Sequence, residues 1–312
     1  MLRPTALRHF VTALLVLSFA LVLAVPLASA QGDDGARTVT DFMGRPVTLE
    51  APPQRVVGMS ASVSEMLFAI GIMPVGVTAG MDYPAAAQDL PTFGSGYQPD
   101  LEALAALEPD LIIANAQLNM AFMDQLDAIA PTLMVMTLTA ADVPANIRLI
   151  GEATWHDTSA DYVAMAYEDM LAMAGTIGME KEGPSILIVV GTLDVPNYGK
   201  SSTYLGDMAT LLGASNVADS EPDAGPYPGY ASLSIEAILD ADPDMIFTIT
   251  RGADVPMSET MLGDPVWAAL SAVENGQVYE LDNRLFLESP GPRFADGLIQ
   301  LYDIFYGEGM AG

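Results

Sequence analysis

The 312-residue chain carries 11 lysines and arginines against 40 aspartates and glutamates, a formal net charge of −29, with two histidines and no cysteine. That acid excess argues against nucleic acid or an anionic membrane as a partner. The missing cysteines exclude disulfides, thiolate metal sites and a cysteine nucleophile.

Arg3, Arg8 and His9 precede an apolar run from Phe10 to Val25, followed by Ala28-Ser29-Ala30. A basic start, a short apolar core and an Ala-x-Ala end predict a secretory signal peptide over residues 1–30, with Gln31 first in the mature chain. No cysteine follows the run, so a lipid-modified terminus is not expected. The mature chain is expected to be soluble outside the cytoplasmic membrane, periplasmic or extracellular. Loss of Arg3 and Arg8 would leave 9 basic residues against 40 acidic ones. Loss of His9 would leave His156 as the single imidazole, which excludes a zinc site built from several histidines and makes any Ser-His-Asp triad depend on it. His156, in the polar stretch Trp155-His156-Asp157-Thr158, reads as a surface loop residue.

The remaining length suffices for two domains of ordinary size. Residues 31–37 read as a disordered polar lead-in. Arg55–Met59 reads as a buried strand, followed by the capping box Ser62-x-x-Glu65, an apolar face of Met66, Leu67 and Ile70, and a stop at Gly71. The capping box accounts for Glu65, to which no function is assigned. Pro74–Thr78, Leu111–Ala114 and Leu133–Leu138 are further strands separated by helical patterns, and this alternation implies a parallel sheet covered by helices. Helices follow at Asn146–Ala153 and Tyr162–Ala174, the second capped by Ser159 and closed by Gly175, Gly178 and Gly183-Pro184.

Ser185–Val190 opens a second alternating set, with a helix at Tyr204–Leu212 ended by Gly213, strands at Met245–Ile249 and Gln277–Leu281, and a closing helix at Pro292–Tyr306. The reading is therefore an α/β chain of two Rossmann-like lobes with central parallel sheets, joined by a single long helix. The boundaries are 38–158 for the first lobe, 159–178 for the joining helix and 183–312 for the second lobe. An internal repeat supports two equivalent lobes. The segment from Leu101 to Ile113, with Glu102 and Pro109-Asp110, matches the segment from Ile235 to Phe247, with Glu236 and Pro243-Asp244.

Over roughly residues 38–308 the chain resembles the periplasmic binding proteins with a helical backbone, the class serving siderophore, haem and cobalamin importers. The resemblance rests on Thr40-Asp41-x-x-Gly44-Arg45, Pro53-x-Arg55-Val56-Val57, Pro99-Asp100-Leu101-Glu102, Pro109-Asp110-Leu111-Ile112-Ile113 and Thr203-Tyr204-Leu205-Gly206-Asp207. Asn275-Gly276-x-Val278-Tyr279 and Pro290-Gly291-Pro292-Arg293 fit as well. It implies two lobes that clamp a ligand in the cleft between them, with little closure. It also implies docking on an ABC permease, served by its ATPase, through one acidic residue per lobe. Glu102 and Glu236 fall at those positions, and a carboxylate there can accept a bidentate bond from a permease arginine.

For the ligand, the resemblance puts Tyr97, in the loop Gly94-Ser95-Gly96-Tyr97-Gln98-Pro99, at the cleft mouth. There a phenol can stack on a flat ligand or bind ferric iron. Tyr83 and Tyr198 occupy comparable loops after strands. Arg251 follows the strand Met245–Ile249, at the edge where open α/β sheets bind ligands, and suits a carboxylate, catecholate or propionate. Arg293 is a further candidate, and Met59 is the one methionine of interest. The expected ligand is a ferric siderophore or similar iron complex, with haem as the alternative. Some members of the haem branch place an axial histidine where this chain has Arg251, so a bis-axial haem site here would need Tyr97, with a methionine as the candidate second ligand. Neither an intrinsic cofactor, a metal site nor catalysis is expected, and the protein reads as a monomer.

Overall fold

The computed structural model describes residues 35–224, 228–288 and 290–307. The expected signal peptide lies outside them. Two compact units emerge: the described residues up to Thr137 with Ala141–Asp169, and Leu138–Ala140 with the residues from Met170 onward.

The first unit opens on an antiparallel hairpin, β1 (Arg37–Thr40) and β2 (Pro46–Leu49), in register from Arg37 opposite Leu49 to Thr40 opposite Pro46. The expected disordered lead-in is thus corrected at its end, because Arg37 already belongs to a strand. Its guanidinium stacks 4.6 Å from the Trp155 ring centroid and pairs with Asp157 at 2.8 Å. The hairpin turn explains the Asp41-x-x-Gly44-Arg45 motif. Buried Asp41 accepts bonds from the Arg45 backbone N–H and Nε, both at 2.9 Å, while Arg45 Nη2 donates to the Thr132 carbonyl at 3.0 Å.

The sheet of this unit is β3-β4-β5 (Val56–Gly58, Leu111–Asn115, Thr132–Val135), all parallel. Every residue of these strands is buried, as expected when both faces of a parallel sheet are covered. Helix α1 (Ala61–Ala69) follows β3, capped by Ser60, whose Oγ accepts the Val63 N–H at 3.3 Å. The expected capping box does not form, because the helix starts before Ser62. Glu65 therefore stands beyond the first turn with 2% of its surface exposed. Pro74–Thr78 is not a strand: Val77 alone bridges Thr92. The unit continues through α2 (Leu101–Ala106), α3 (Ala116–Asn119), α4 (Met123–Asp127) and α5 (Asp142–Ala153).

Helix α6 runs from Asp157 to Glu180, and the boundary between the units falls inside it. Ser159 is in its first turn rather than at its cap, donating to the carbonyls of Ile70 and His156, both at 3.1 Å. Gly175 and Gly178 do not end it. A Cβ at Gly178 would overlap the Leu211 carbonyl oxygen and stand 2.7 Å from the Gly213 nitrogen, so this glycine permits a close backbone approach.

The second unit holds a six-stranded sheet of β6 (Ser185–Thr192), β7 (Val195–Gly199), β8 (Ser215–Asn216), β9 (Tyr230–Ala231), β10 (Met245–Thr250) and β11 (Val278–Glu280). Its order is β11-β10-β6-β7-β9, with β8 beside the start of β6. The β11, β10, β6 and β8 strands are parallel, the central parallel sheet that was expected, and β7 adds antiparallel to β6 with β9 antiparallel to β7. Around it lie α7 (Tyr204–Leu211), α8 (Ile235–Ala241), α9 (Met257–Gly263), α10 (Ser271–Glu274) and α11 (Phe294–Tyr306). Leu187, Val189, Ile246, Met261, Trp267 and Leu270 form the core of this unit.

Candidate ligand-binding site

In the first unit the loop that carries Tyr97 packs against the carboxyl ends of β3 and β4, and Tyr83 lies in the segment before it, which follows no strand. Asn119, just past β4, donates from Nδ2 to the Gly96 carbonyl at 2.9 Å, and a Cβ at Gly96 would sit 3.3 Å from the Met59 carbonyl oxygen, just past β3. The loop between them is a tight turn: the Ser95 N–H donates to the Gln98 carbonyl at 3.2 Å, and the Gln98 N–H to Ser95 Oγ at 3.0 Å. Tyr97 projects from this turn and is 55% exposed. The Ala79 N–H donates to the Gly94 carbonyl at 2.7 Å, which joins the segment leading to Tyr83 onto the same loop base. Tyr83 is 43% exposed. Exposed Met120, one residue beyond α3, belongs to the same edge and was not singled out from sequence. Met59, by contrast, is fully buried in the core and is corrected to a packing residue.

In the second unit Arg251 follows β10, and its backbone N–H donates to the Gly191 carbonyl at the end of β6, at 2.9 Å. The side chain is exposed and stands 3.6 Å from Glu288. Arg293 is half-buried at the N-cap of α11. Tyr198 departs from expectation. It lies inside β7 rather than in a loop, 5% exposed among the core residues, and burial raises its phenol pKa. A side chain so placed packs within its lobe.

Glu102 and Glu236 are both exposed at the second position of their helices, α2 and α8. Asp100 caps α2 through the N–H groups of Glu102 and Ala103, at 3.1 and 3.0 Å, and Ser234 caps α8 through Ala237 at 3.2 Å. The Glu236 carboxyl is held below its usual range by its own backbone N–H and by the Ser234 hydroxyl. The chain leaves each helix through an acid with left-handed backbone, Glu108 at φ 47° and Asp242 at φ 39°.

His156 is exposed between α5 and α6, its Nδ1 2.7 Å from the Thr154 carbonyl. Among the described residues no cluster of His, Cys, Asp or Glu could hold a metal ion, and no helix is long and apolar enough to cross a membrane. Two surface hollows lie away from the candidates. One of about 430 Å³ is lined by Arg37, Arg148, Glu152 and Asp161, and one of about 560 Å³ by Gly175, Gly178, Asp207 and Leu211.

Residues 56–285 match the periplasmic binding protein family, and the chain belongs to that family. An uncharacterized ABC transporter substrate-binding lipoprotein of Bacillus subtilis is 27% identical over 280 residues, 86% of this chain and 85% of the relative. The Fe(3+)-citrate-binding protein of Bacillus subtilis is 25% identical over 283 residues, 86% and 87% of the two chains. Among solved structures, the petrobactin-binding protein of Bacillus subtilis superposes with a TM-score of 0.75 at 19% identity, over 86% of this chain and 98% of that one, a likeness of fold.

Proposed function

We propose that this chain is the exported solute-capturing component of an ABC importer and that it binds a ferric complex of an anionic organic chelator. The observations that carry the reading are made lobe by lobe, near the carboxyl edge of each sheet. One lobe offers the exposed phenols of Tyr97 and Tyr83, and the other offers the exposed guanidinium of Arg251, in a chain with few cations. Phenol rings pack on the flat organic shell of a chelate, and a guanidinium takes its carboxylate or catecholate oxygens in a forked bond. The relative named for ferric citrate supports the same class of ligand. Arg293 is a secondary candidate.

In this reading the lobes span residues 38–158 and 183–312, with 159–178 as the joining helix. Glu102 and Glu236 are the contacts to the permease. The protein works as a monomer without catalysis, and it is released by cleavage after Ala30 without a lipid anchor. The test is titration of purified protein with ferric citrate, a ferric catecholate siderophore and haemin, followed by protein fluorescence and absorption. Saturable binding of a ferric chelate is expected. Binding of haemin alone, with a tyrosinate-type spectrum, would move the ligand to haem, and no binding of any of the three would sink the reading.

A further inference from the structure

We propose that Glu280 positions Arg251 for the ligand. The inference rests on the reading of Arg251 as a ligand contact and adds the residue through which that contact is held. Strand β11 is the sheet edge and stops at Glu280, directly beside Thr248 of β10. The next inter-strand bond, from the Leu281 N–H to the Thr248 carbonyl at 2.8 Å, is the last one the backbone supplies. The Thr250 N–H, one rung further on, has no strand opposite it. The Glu280 carboxylate takes that place: Oε1 accepts the Thr250 N–H at 2.7 Å. The other oxygen accepts the Thr248 hydroxyl at 2.6 Å and, more weakly, the Ser258 N–H at 3.4 Å.

One carboxylate therefore grips both feet of the loop 251–256, at Thr250 and at Ser258 in the first turn of α9. A second bond, from the Met257 N–H to Thr250 Oγ1 at 2.7 Å, closes the same base. Arg251 is the first residue of the loop, its own N–H fixed to Gly191 and its successor Gly252 in the left-handed region at φ 78°. The loop beyond is exposed from Arg251 to Val255, so the base sets where the Arg251 backbone leaves the sheet, with Glu288 3.6 Å from its guanidinium. Charge-assisted bonds of this kind are the stronger ones in proteins, and an aimed guanidinium spends less freedom on binding.

The experiment is a double-mutant cycle on the full chain, titrated with ferric citrate, with thermal melts of every variant. Arg251→Ala is expected to weaken binding about 10- to 100-fold. Glu280→Ala should weaken it by a similar factor in the parent and by none in the Arg251→Ala background, because its effect passes through the arginine. Glu280→Gln keeps one acceptor for the Thr250 N–H and should show a smaller loss with the same dependence on Arg251, which keeps the test decisive if the alanine variant does not fold. If Arg251→Ala binds as the parent does, the reading of Arg251 fails and this inference with it. If Arg251→Ala loses affinity while the Glu280 variants do not, or if their loss is equal in both backgrounds, positioning by Glu280 is overturned and Arg251 stands.

Discussion

Asp110 and Arg55 exchange a reciprocal pair of hydrogen bonds. The Arg55 N–H donates to the Asp110 carboxylate at 2.8 Å, and the Asp110 N–H donates to the Arg55 carbonyl at 3.0 Å. The carboxylate takes the Gln54 N–H as well, at 2.7 Å, and Arg55 Nε reaches the Glu108 carbonyl at 2.9 Å. The second lobe repeats the device with Asp244, whose carboxylate holds both the N–H and the hydroxyl of Ser185, at 2.8 and 2.7 Å. Each Pro-Asp turn of the internal repeat thus ties the start of one strand to the start of its neighbour.

Asp110→Ala and Asp244→Ala should each destabilise the protein by about 1–2 kcal/mol, since each leaves backbone or hydroxyl donors without their carboxylate. Urea unfolding measures the change. A midpoint equal to the parent's in either variant would show that water replaces the staple at no cost.

Two alanine substitutions in α6 should act in opposite directions. Gly175 has open space where a Cβ would go, so Gly175→Ala should gain about 0.5–1 kcal/mol through helix propensity. Gly178→Ala would drive a methyl into the backbone of Leu211 and Gly213 and should cost about 1–3 kcal/mol. Thermal melts of the pair decide the matter, and a shift of the same sign in both would contradict it.

Tyr97 and Tyr198 should separate binding from folding. Tyr97→Ala should leave stability within about 0.5 kcal/mol and weaken ferric chelate binding by about 0.5–1.5 kcal/mol through lost stacking, while Tyr97→Phe changes little. Tyr198→Ala empties part of the core and should cost about 3–5 kcal/mol of stability. An unstable Tyr97→Ala protein would show that this residue serves the lobe instead of the ligand.

Glu102→Arg and Glu236→Arg should keep ligand affinity and thermal stability near the parent's, yet lower transport and ligand-stimulated ATP hydrolysis in the reconstituted importer. Parental transport by both variants would remove these two acids from the docking surface.

Acid should stabilise before it denatures. Asp242 and Asp223 have carboxyls held below their usual range, the first by the Ser271 hydroxyl and N–H, the second by the Gly229 N–H and then Lys200. A depressed folded pKa gives stability that is present above the unfolded value, near 3.8, and is lost as pH falls through the folded one. From pH 7.5 to 5 these groups therefore cost nothing, while protonation elsewhere begins to relieve the repulsion of a chain at −29. The Tm at pH 5 should equal or exceed that at pH 7.5, and 1 M salt should raise Tm at pH 7.5 by about 2–4 °C. A Tm clearly lower at pH 5 than at pH 7.5 would show that relief of the acidic repulsion does not govern stability in this range.

Much of the fold was legible because the parallel strands are dominated by apolar residues: β3, β4, β6 and β10 stand where the hydrophobic pattern put them. What escaped had no such signal. Strand β7 contains Pro196 and Gly199, residues that punctuate loops, and β8 and β9 are two residues long. Gly178 reads as a helix stop in sequence because a glycine needed for a neighbour's backbone looks the same as one needed for a turn. Tyr97 and Arg251 stand out by context and by scarcity of cations. Glu280 and Glu288 do not, among 40 acids, because what distinguishes them is the strand end and the arginine beside them.

The Asp110 and Asp244 staples sit where the strands of their sheets begin, whereas the Tyr97 loop packs at the carboxyl ends of β3 and β4 and Arg251 follows the end of β10. A substitution at one end of a lobe therefore leaves the hydrogen bonds of the other untouched. In the proposed reading that separation leaves the edge that would meet the ligand open to revision: the Tyr97 loop or the loop after β10 can change while the strands stay in register.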